Sequence, residues 1–178
     1  MPFWSDIKAS PKLSFRWYAS FGIQEYAINY YCLRTFQKPS FDIAQGEYIW
    51  LNDINHKPGL LSWNPIEITI SDLENREDNN TYKLYNILKR AGYQDHTVNK
   101  PRGALEKKQF STALGGQLVL TQIDALGQAI EEWTMINPFI ISVNFGQGNY
   151  GAEEIMTISL GIRYDYAKHS LISVPANT

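Results

Sequence analysis

The sequence predicts a mainly β fold with antiparallel strands, and three observations support this prediction. Apolar and polar residues alternate with the period of a half-buried strand in several segments, most clearly in 66–71 and 156–166. Aromatic residues make up 13% of the chain, and their broad rings pack well on a pleated sheet. Turn signals such as Asn137-Pro138 separate neighbouring segments at short intervals. Together these features favour strands joined by tight turns.

The composition is that of one globular domain, which we expect to span residues 1–178. Hydrophobic residues make up 44% and charged residues 19% of the 178 positions, which excludes a disordered chain. The formal net charge of −2 is unlike the basic balance of a protein that grips nucleic acid. Cys32 is the single cysteine, so no internal disulfide forms and a reducing compartment is expected. No signal peptide or membrane-spanning run is visible.

The first half of the chain is expected to hold two strands and a hairpin arm. Alternation indicates strands at 13–21 and 27–36, and Pro39 ends the second because it lacks an amide hydrogen. The hairpin arm, at about 40–60, is predicted from short strands at 40–44 and 47–51 around Gln45-Gly46. The polar stretch 52–59 is predicted to be a loop with a Pro-Gly turn.

One helix is predicted with capping signals at both ends. Asn79 or Asn80 can cap its start, and Gly92 suits the left-handed position after its end. From 92 to 116 no periodicity is sustained, which predicts a long loop. That loop is either an arm reaching a neighbouring subunit or a mobile surface segment. The apolar stripe of the helix consists of Leu84, Ile87, Leu88 and Ala91.

The last third is predicted to be a meander of strands. Strands are expected at 118–123, 129–136 and 139–145, followed by a glycine-rich turn at 146–151. The alternation from 156 to 166 then predicts one long strand at the centre of the sheet. Neither an internal repeat nor a second domain is visible.

The search for a catalytic or metal site gives no convergent set of residues. His56, His96 and His169 have no further ligand at metal spacing, so no metal or cofactor is expected. The glycine-rich turn lacks the Lys-Ser/Thr of a phosphate-binding loop. Cys32 is predicted to be a small core residue in mid-strand. The sequence therefore predicts a protein that is not an enzyme.

Two acidic pairs, Glu131-Glu132 and Glu153-Glu154, leave a glycosidase as a weak alternative. That chemistry needs two carboxyl groups across one sugar. Neighbouring residues on a strand point to opposite faces, so neither pair converges on a substrate by itself. A second alternative is a binding module in which tryptophan and tyrosine rings form a platform for carbohydrate.

Short motifs follow one another in a recognisable order from about Phe15 to Ala167. This order resembles the tail-tube protein family of contractile-tailed bacteriophages, the myovirus type. The resemblance depends on the order and spacing of the motifs rather than on any one of them. The motifs are Leu-Arg-Thr-Phe-Gln-Lys-Pro at 33–39, Lys-Pro-Gly at 57–59, Trp-Asn-Pro-Ile-Glu-Ile-Thr-Ile-Ser-Asp at 63–72, Gln-Ile-Asp-Ala-Leu-Gly at 122–127, Ile-Glu-Glu-Trp at 130–133, Asn-Pro-Phe-Ile at 137–140, Phe-Gly at 145–146, Glu-Glu-Ile at 153–155 and Ile-Arg-Tyr-Asp-Tyr-Ala at 162–167.

The resemblance implies a small antiparallel β-sandwich or split β-barrel with one flanking α-helix. Six copies would form a ring with a shared inner β-barrel, and rings would stack into a hollow tube inside a contractile sheath. The implied partners are further copies, sheath subunits, and baseplate and terminator proteins at the ends. Tape-measure protein and viral DNA would pass through the lumen without specific binding. The tube would be made in the host cytoplasm and would belong to the tail of the virion.

Two sets of residues are candidates for assembly. Closing a ring of copies pairs exposed strand edges that would otherwise risk uncontrolled association. The ring-stacking contact is expected in the hairpin arm, with Asn52, Asp53 and His56 at its polar margin; alternatively, Tyr48 and Trp50 are ordinary core residues. The complete stacking set is Glu47, Tyr48, Ile49, Trp50, Leu51, Asn52, Asp53, Ile54 and His56.

The polar residues of one strand, Glu67, Thr69 and Ser71, are candidates to line the lumen. Each phosphate that a Lys or Arg neutralises adds salt-sensitive affinity, so the lumen is expected to be neutral to acidic. Within assembly proteins, a tube initiator, a tube terminator or the tube of a type VI-like injection system remain alternatives. The glycosidase alternative would use Glu131 or Glu154.

Overall fold

A computed structural model describes residues 12–23, 27–28, 30–51, 53–75, 78–94, 105–151 and 153–172. The predictions for His96 and for 95–104 lie outside the described residues. In the described part, the strands are β1 (Trp17–Ser20), β2 (Leu33–Phe36), β3 (Phe41–Trp50), β4 (Asp53–Trp63), β5 (Ile66–Ser71), β6 (Gln117–Ile123), β7 (Ala129–Ile136), β8 (Phe139–Asn144), β9 (Thr157–Arg163) and β10 (Tyr166–Leu171). The helices are α1 (Asn80–Arg90) and α2 (Lys107–Ala113).

Two four-stranded antiparallel sheets and a separate hairpin make up the architecture. Sheet 1 has the order β1-β6-β7-β10, and sheet 2 has the order β2-β5-β9-β8. The rings of Trp17 and Phe36 lie 3.8 Å apart between centroids and join the edge strands β1 and β2. The mainly β, antiparallel prediction is confirmed.

The core lies between the inward faces of the sheets and the two helices. Alternate residues of β5 and β9 point inward because the period of a strand is two. Leu84 and Ile87 of α1 and Ala91 at its C-cap belong to the same buried cluster, each 2% exposed or less. The fully buried side chains of the two sheets include Ile66, Ile68, Ile70, Leu118, Met135, Ile158, Leu160 and Ile162.

Helix α1 matches its prediction at both ends. The Asn79 side chain accepts a hydrogen bond from the Tyr82 amide at 2.7 Å, so Asn79 is the N-cap. Gly92 has φ = 110°, in the left-handed region, and the Tyr93 amide donates to the Leu88 carbonyl at 3.2 Å. This arrangement satisfies the last carbonyls of the helix.

Several predicted boundaries in the first half are wrong. The first strand covers Trp17–Ser20 alone, and a 3-10 turn at Tyr30–Cys32 precedes β2. Cys32 is buried as predicted, but in that turn rather than in mid-strand. Between the predicted short strands 40–44 and 47–51 there is no break, because β3 runs through Gln45-Gly46.

Two further predictions in the second half need correction. The loop predicted at 92–116 contains α2, so two helices flank the sheets instead of one. The predicted long strand 156–166 divides into β9 and β10, which belong to different sheets. Asp165 lies at the crossing, where its amide donates to the Ile136 carbonyl at 3.0 Å and its carboxylate accepts from Asn137 at 2.9 Å and from Lys107. These contacts hold the chain where it changes sheets.

Replacing Ile87 tests whether the stripe of α1 holds the helix on the sheets. Ile87→Ala leaves a cavity at a side chain with 0% exposure, so we expect unfolding free energy to fall by about 2–5 kcal/mol. Tyr82→Ala, at a side chain 63% exposed, should change it by less than about 0.5 kcal/mol. Urea unfolding of both variants measures the difference. Equal effects would contradict the packing described for α1.

Candidate assembly surfaces

The hairpin of β3 and β4, named the arm, is a two-stranded sheet with which no third strand pairs among the described residues. Its register runs from Phe41 opposite Trp63 to Trp50 opposite Asp53. The turn lies at the tip, where Leu51 has φ = 56°. The segment 52–59, predicted to be a loop, is therefore mostly strand. A two-stranded hairpin is marginally stable by itself in water, so the arm depends on contacts beyond its own strands.

The root of the arm is fixed to the body by ring packing and hydrogen bonds. The Trp63 ring packs against the core, 6.1 Å from the Tyr164 ring and 5.4 Å from the Phe41 ring. The Asn64 amide donates to the Ser40 carbonyl at 2.9 Å, and its side chain donates to the Asp42 carboxylate at 3.0 Å. The arm therefore leaves the body at the end of sheet 2 where β5 begins.

Pro58-Gly59, predicted to be a turn, instead forms an irregularity inside β4. The register shifts there, since Ile43 pairs with Leu61 while Gln45 pairs with Pro58. A Cβ atom on Gly59 would lie 3.0 Å from the Ala44 carbonyl oxygen, so a larger residue would crowd the opposite strand. Such a bulge bends a strand without ending it.

The register divides the arm into two faces. The face named the apolar face holds Phe41, Ile43, Gln45, Glu47, Ile49, Ile54, His56, Pro58, Leu61 and Trp63. The opposite face holds Asp42, Tyr48, Asn55 and Lys57. Tyr48 and Ile49, both predicted to belong to one contact, therefore point to opposite sides of the arm.

The apolar side chains of the arm are open to solvent in the single chain. Ile49 is 73%, Leu51 85% and Ile54 60% exposed at the tip, and Leu60 in the bulge is 86% exposed. Contiguous exposed apolar surface on a folded domain marks an interaction site. Tyr48 is 51% exposed, so the alternative that it is a core residue is wrong.

The predicted stacking residues lie together at the tip, with one difference in position. Asn52 and the side chain of Trp50 lie outside the described residues. Glu47, Asp53 and His56 are exposed. His56, however, does not lie at a polar margin, because it faces Glu47 across the strands on the apolar face, with its Nδ1 3.7 Å from the Glu47 Oε1.

Sheet 2 carries the strand predicted to line a lumen. Glu67 and Thr69 point away from the core, but Ser71 is 8% exposed and hydrogen-bonds the Arg34 Nε at 2.6 Å. Arg163 extends from the same face on β9, diagonal to Glu67. Arg34 on β2, Arg163 on β9 and Glu67 on β5 give this face a formal charge of +1 per chain. This differs from the neutral-to-acidic charge expected of a lumen.

The edges of sheet 2 are β2 and β8, which the sequence pattern did not single out as assembly elements. The register of β8 shifts between Ile140 and Ser142, and Ile141 in between is 50% exposed. Because the sheet has an even number of antiparallel strands, β8 and β2 run in opposite directions. A β8 strand can therefore pair antiparallel with β2 of a second copy.

Glu131, considered above as a catalytic acid, is the centre of a structural cluster. Its side chain is 6% exposed and accepts hydrogen bonds from Trp133 Nε1 at 2.7 Å, from Lys38 at 3.2 Å and from Lys12. His169 Nε2 lies 3.5 Å away. Burial alone would raise the pKa of Glu131, but these donors outweigh it and lower the pKa from 4.5 to about 2. Such a carboxylate is fixed in its ionised form.

Glu154, the other candidate acid, is exposed in an open depression of about 500 Å³ formed by 146–150 and 154–157. Glu131 does not contribute to that depression. The described tryptophan side chains also do not form a shared platform. Trp17 contacts Phe36, Trp63 contacts Tyr164, and Trp133 contacts His169, and all three tryptophans are half-buried.

Lowering the pH should remove the contribution of Glu131 to stability. Because its folded pKa lies below the usual 4.5, that contribution is present above pH 4.5 and is lost as the pH falls towards about 2. The difference corresponds to about 3 kcal/mol. Glu131→Gln should therefore lower unfolding free energy by about that amount at pH 7 and by much less near pH 2.5, as measured by urea unfolding at each pH.

Glu132→Gln is the matched control for this variant. Glu132 is the neighbouring residue on β7, points to the other face and hydrogen-bonds Thr134 at 3.2 Å. An equal loss in both variants, or a loss in Glu131→Gln that does not change with pH, would contradict the cluster as described.

Among the described residues, neither helix combines the length and apolarity needed to cross a membrane. Neither a known protein-family profile nor a curated protein matches the sequence.

Solved structures resemble the chain over nearly its whole length. The tube-terminating cap of the anti-feeding prophage superposes with a TM-score of 0.67 at 14% identity, covering 97% of this chain and 100% of that chain. The sheath-tube complex of an extracellular contractile injection system, PVC, in the extended state gives 0.62 at 12%, covering 93% and 95%. The six-fold symmetrised anti-feeding prophage baseplate gives 0.59 at 12%, covering 90% and 96%. These likenesses show a tail-tube-like fold, which confirms the predicted fold class.

Proposed function

We propose that the chain is a structural subunit of a tail-type tube, in which copies close into rings and rings stack into a hollow conduit. The observation that carries this proposal is the arm, whose apolar face beyond its root is exposed and has no partner strand or layer within the described chain. A surface of this kind needs a protein partner to remove it from water. The fold shared with tube and cap structures of contractile injection systems supports a further copy as that partner.

Ring closure is assigned to sheet 2 in this proposal. Antiparallel pairing of β8 with β2 of the next copy continues the alternation of the sheet and removes both edges. Its outward polar residues, which include Glu67 and Thr69, would then face the lumen. The six-fold symmetry of the similar baseplate structure supports six copies in the ring. The product is a hexamer with a shared inner β-barrel.

Stacking is assigned to the arm. It leaves the body at one end of sheet 2 and is about ten residues long, or roughly 33 Å when extended. Ile49, Leu51 and Ile54 at its tip would bury against the next ring. Sheath subunits outside the tube, and baseplate and terminator proteins at its ends, are the further partners in a virion tail.

A tube terminator is the second candidate, supported by one observation. The superposition on the tube-terminating cap spans 97% of this chain and the full length of the cap chain, with a TM-score of 0.67. A terminator has one face that stacks and one that does not, so it forms single rings or pairs of rings. A tube subunit forms particles of increasing length. Electron microscopy of the purified chain distinguishes these two functions.

Viral DNA is the cargo in the bacteriophage form of this proposal. A conduit should hold passing phosphates weakly, and on this face Glu67 offsets one of the two arginines, which leaves a formal charge of +1 per chain. We therefore expect assembled tubes to retain no duplex DNA at about 150 mM salt in a filter assay. Retention at that salt concentration, abolished in Arg163→Gln tubes, would contradict DNA passage and leave the tube itself unaffected.

Cross-linking tests the ring contact. In a Cys32→Ala background, Thr35→Cys on β2 and Ser142→Cys on β8 place thiols on the two edges of sheet 2. A short bifunctional thiol reagent should link neighbouring copies into a ladder that ends at six chains in denaturing electrophoresis. Tyr18→Cys with Lys168→Cys, on the edges of sheet 1, is the control. A closed ladder from the control pair alone would contradict the assignment.

Substitution at the arm tip tests the stacking contact. Ile49→Ser with Ile54→Ser removes two side chains whose burial is worth about 1.5–3 kcal/mol each. The concentration needed for stacking should rise at least about tenfold, whereas rings persist and monomer stability changes little. Sedimentation velocity measures the amounts of monomers, single rings and stacked rings. Tyr82→Ser on α1 is the control. Unaltered stacking in the double variant would show that the arm is not the contact.

A further inference from the structure

The middle of the apolar face holds an acid and a base directly opposite each other. Glu47 on β3 and His56 on β4 are a cross-strand pair, with Oε1 and Nδ1 separated by 3.7 Å. Ile49 and Ile54 follow towards the tip. Towards the root, Gln45 and Pro58 come next, and Ile43 and Leu61 lie beyond them. A pair with this position cannot remain solvated when the apolar side chains around it are buried.

The other charged groups of the arm do not share this face. Asp42, Asp53 and Lys57 belong to the opposite face by register. Asp42 is also held at the root by Asn64. The titratable group that faces His56 from the paired strand is therefore Glu47.

The free energy needed to bury the Glu47–His56 pair depends on whether His56 is neutral or protonated. With His56 neutral, docking buries an ionised Glu47 without a counter-charge, which is strongly unfavourable. With His56 protonated, docking buries a net neutral, charge-assisted pair. The protonated pair is thus the one that suits a dry contact.

We infer that docking of the apolar face on a second copy is coupled to uptake of one proton from solvent by His56. This inference rests on the proposed stacking function of the arm. It adds that tube assembly responds to pH, with the Glu47–His56 pair as the sensor.

The direction of the response follows from linkage. The docked state raises the affinity of His56 for its proton, so the stabilisation is complete at low pH and is lost as pH rises through the docked-state pKa. An ordinary histidine titrates near pH 6.5. Above about pH 6.5 the critical concentration for stacking should therefore rise with pH, by up to about tenfold per pH unit.

Two variants of the full chain give different expectations. Glu47→Gln combined with His56→Gln removes both ionisable groups of the pair, so the critical concentration should become independent of pH between about 6 and 8. Glu47→Gln leaves a histidine that is buried more easily when neutral, so the critical concentration should fall as pH rises. His169→Gln, a histidine beside Glu131 rather than on the arm, should keep the slope of the unaltered chain.

Sedimentation velocity at half-unit pH steps measures these slopes, with circular dichroism to confirm folding. Retention of the unaltered slope in the double variant, or absence of inversion in Glu47→Gln alone, would overturn proton coupling while stacking itself stands. Loss of stacking at every pH in Ile49→Asp supports the arm as the contact. Failure of the unaltered chain to stack at any pH overturns both the stacking function and this inference.

Discussion

A two-stranded hairpin with water on both sides cannot bury its own apolar side chains, and this constraint governs the molecule. In the body of the protein, isoleucine, leucine and methionine side chains of the two sheets form one buried cluster with residues of α1 and α2. The arm is not complete, because Ile49, Leu51, Ile54 and Leu60 remain exposed. The hydrophobic effect that stabilises the body therefore also favours association through the arm.

The body fixes the arm through a small number of polar and aromatic contacts. Trp63 packs on the core, and Asn64 bonds both Ser40 and Asp42 at the root. Lys38, just before the arm, binds the buried carboxylate of Glu131. These contacts give the arm a defined origin, which would limit the entropy lost in the proposed docking. Glu131, considered in the sequence as a catalytic acid, thus helps to hold the segment that leads into the arm.

The two proposed contacts would depend on different interactions. Ring closure would depend on main-chain hydrogen bonds between the edges β8 and β2, and such pairing is largely independent of side-chain charge. Stacking would depend on apolar burial around the Glu47–His56 pair, and that contact would change with protonation. Separate control of the two contacts would let rings form before tubes elongate.

The sequence by itself determined the mainly β class, helix α1 with its caps, and the strands β5 to β8 approximately, because these depend on local alternation and capping residues. It also indicated a hairpin at about 40–60, but with its turn at Gln45-Gly46 rather than at the tip beside Leu51. Only the tertiary structure decided that Pro58-Gly59 lies inside a strand, that residues 107–113 form a helix, and that the chain changes sheets at Tyr164–Asp165. Each of these depends on contacts between residues far apart in the chain, such as Gly59 with Ala44 and Asp165 with Lys107 and Asn137. The division of the arm into an apolar and a polar face, which separates Ile49 from Tyr48 and unites Glu47 with His56, was likewise set by a cross-strand register that no local pattern specifies.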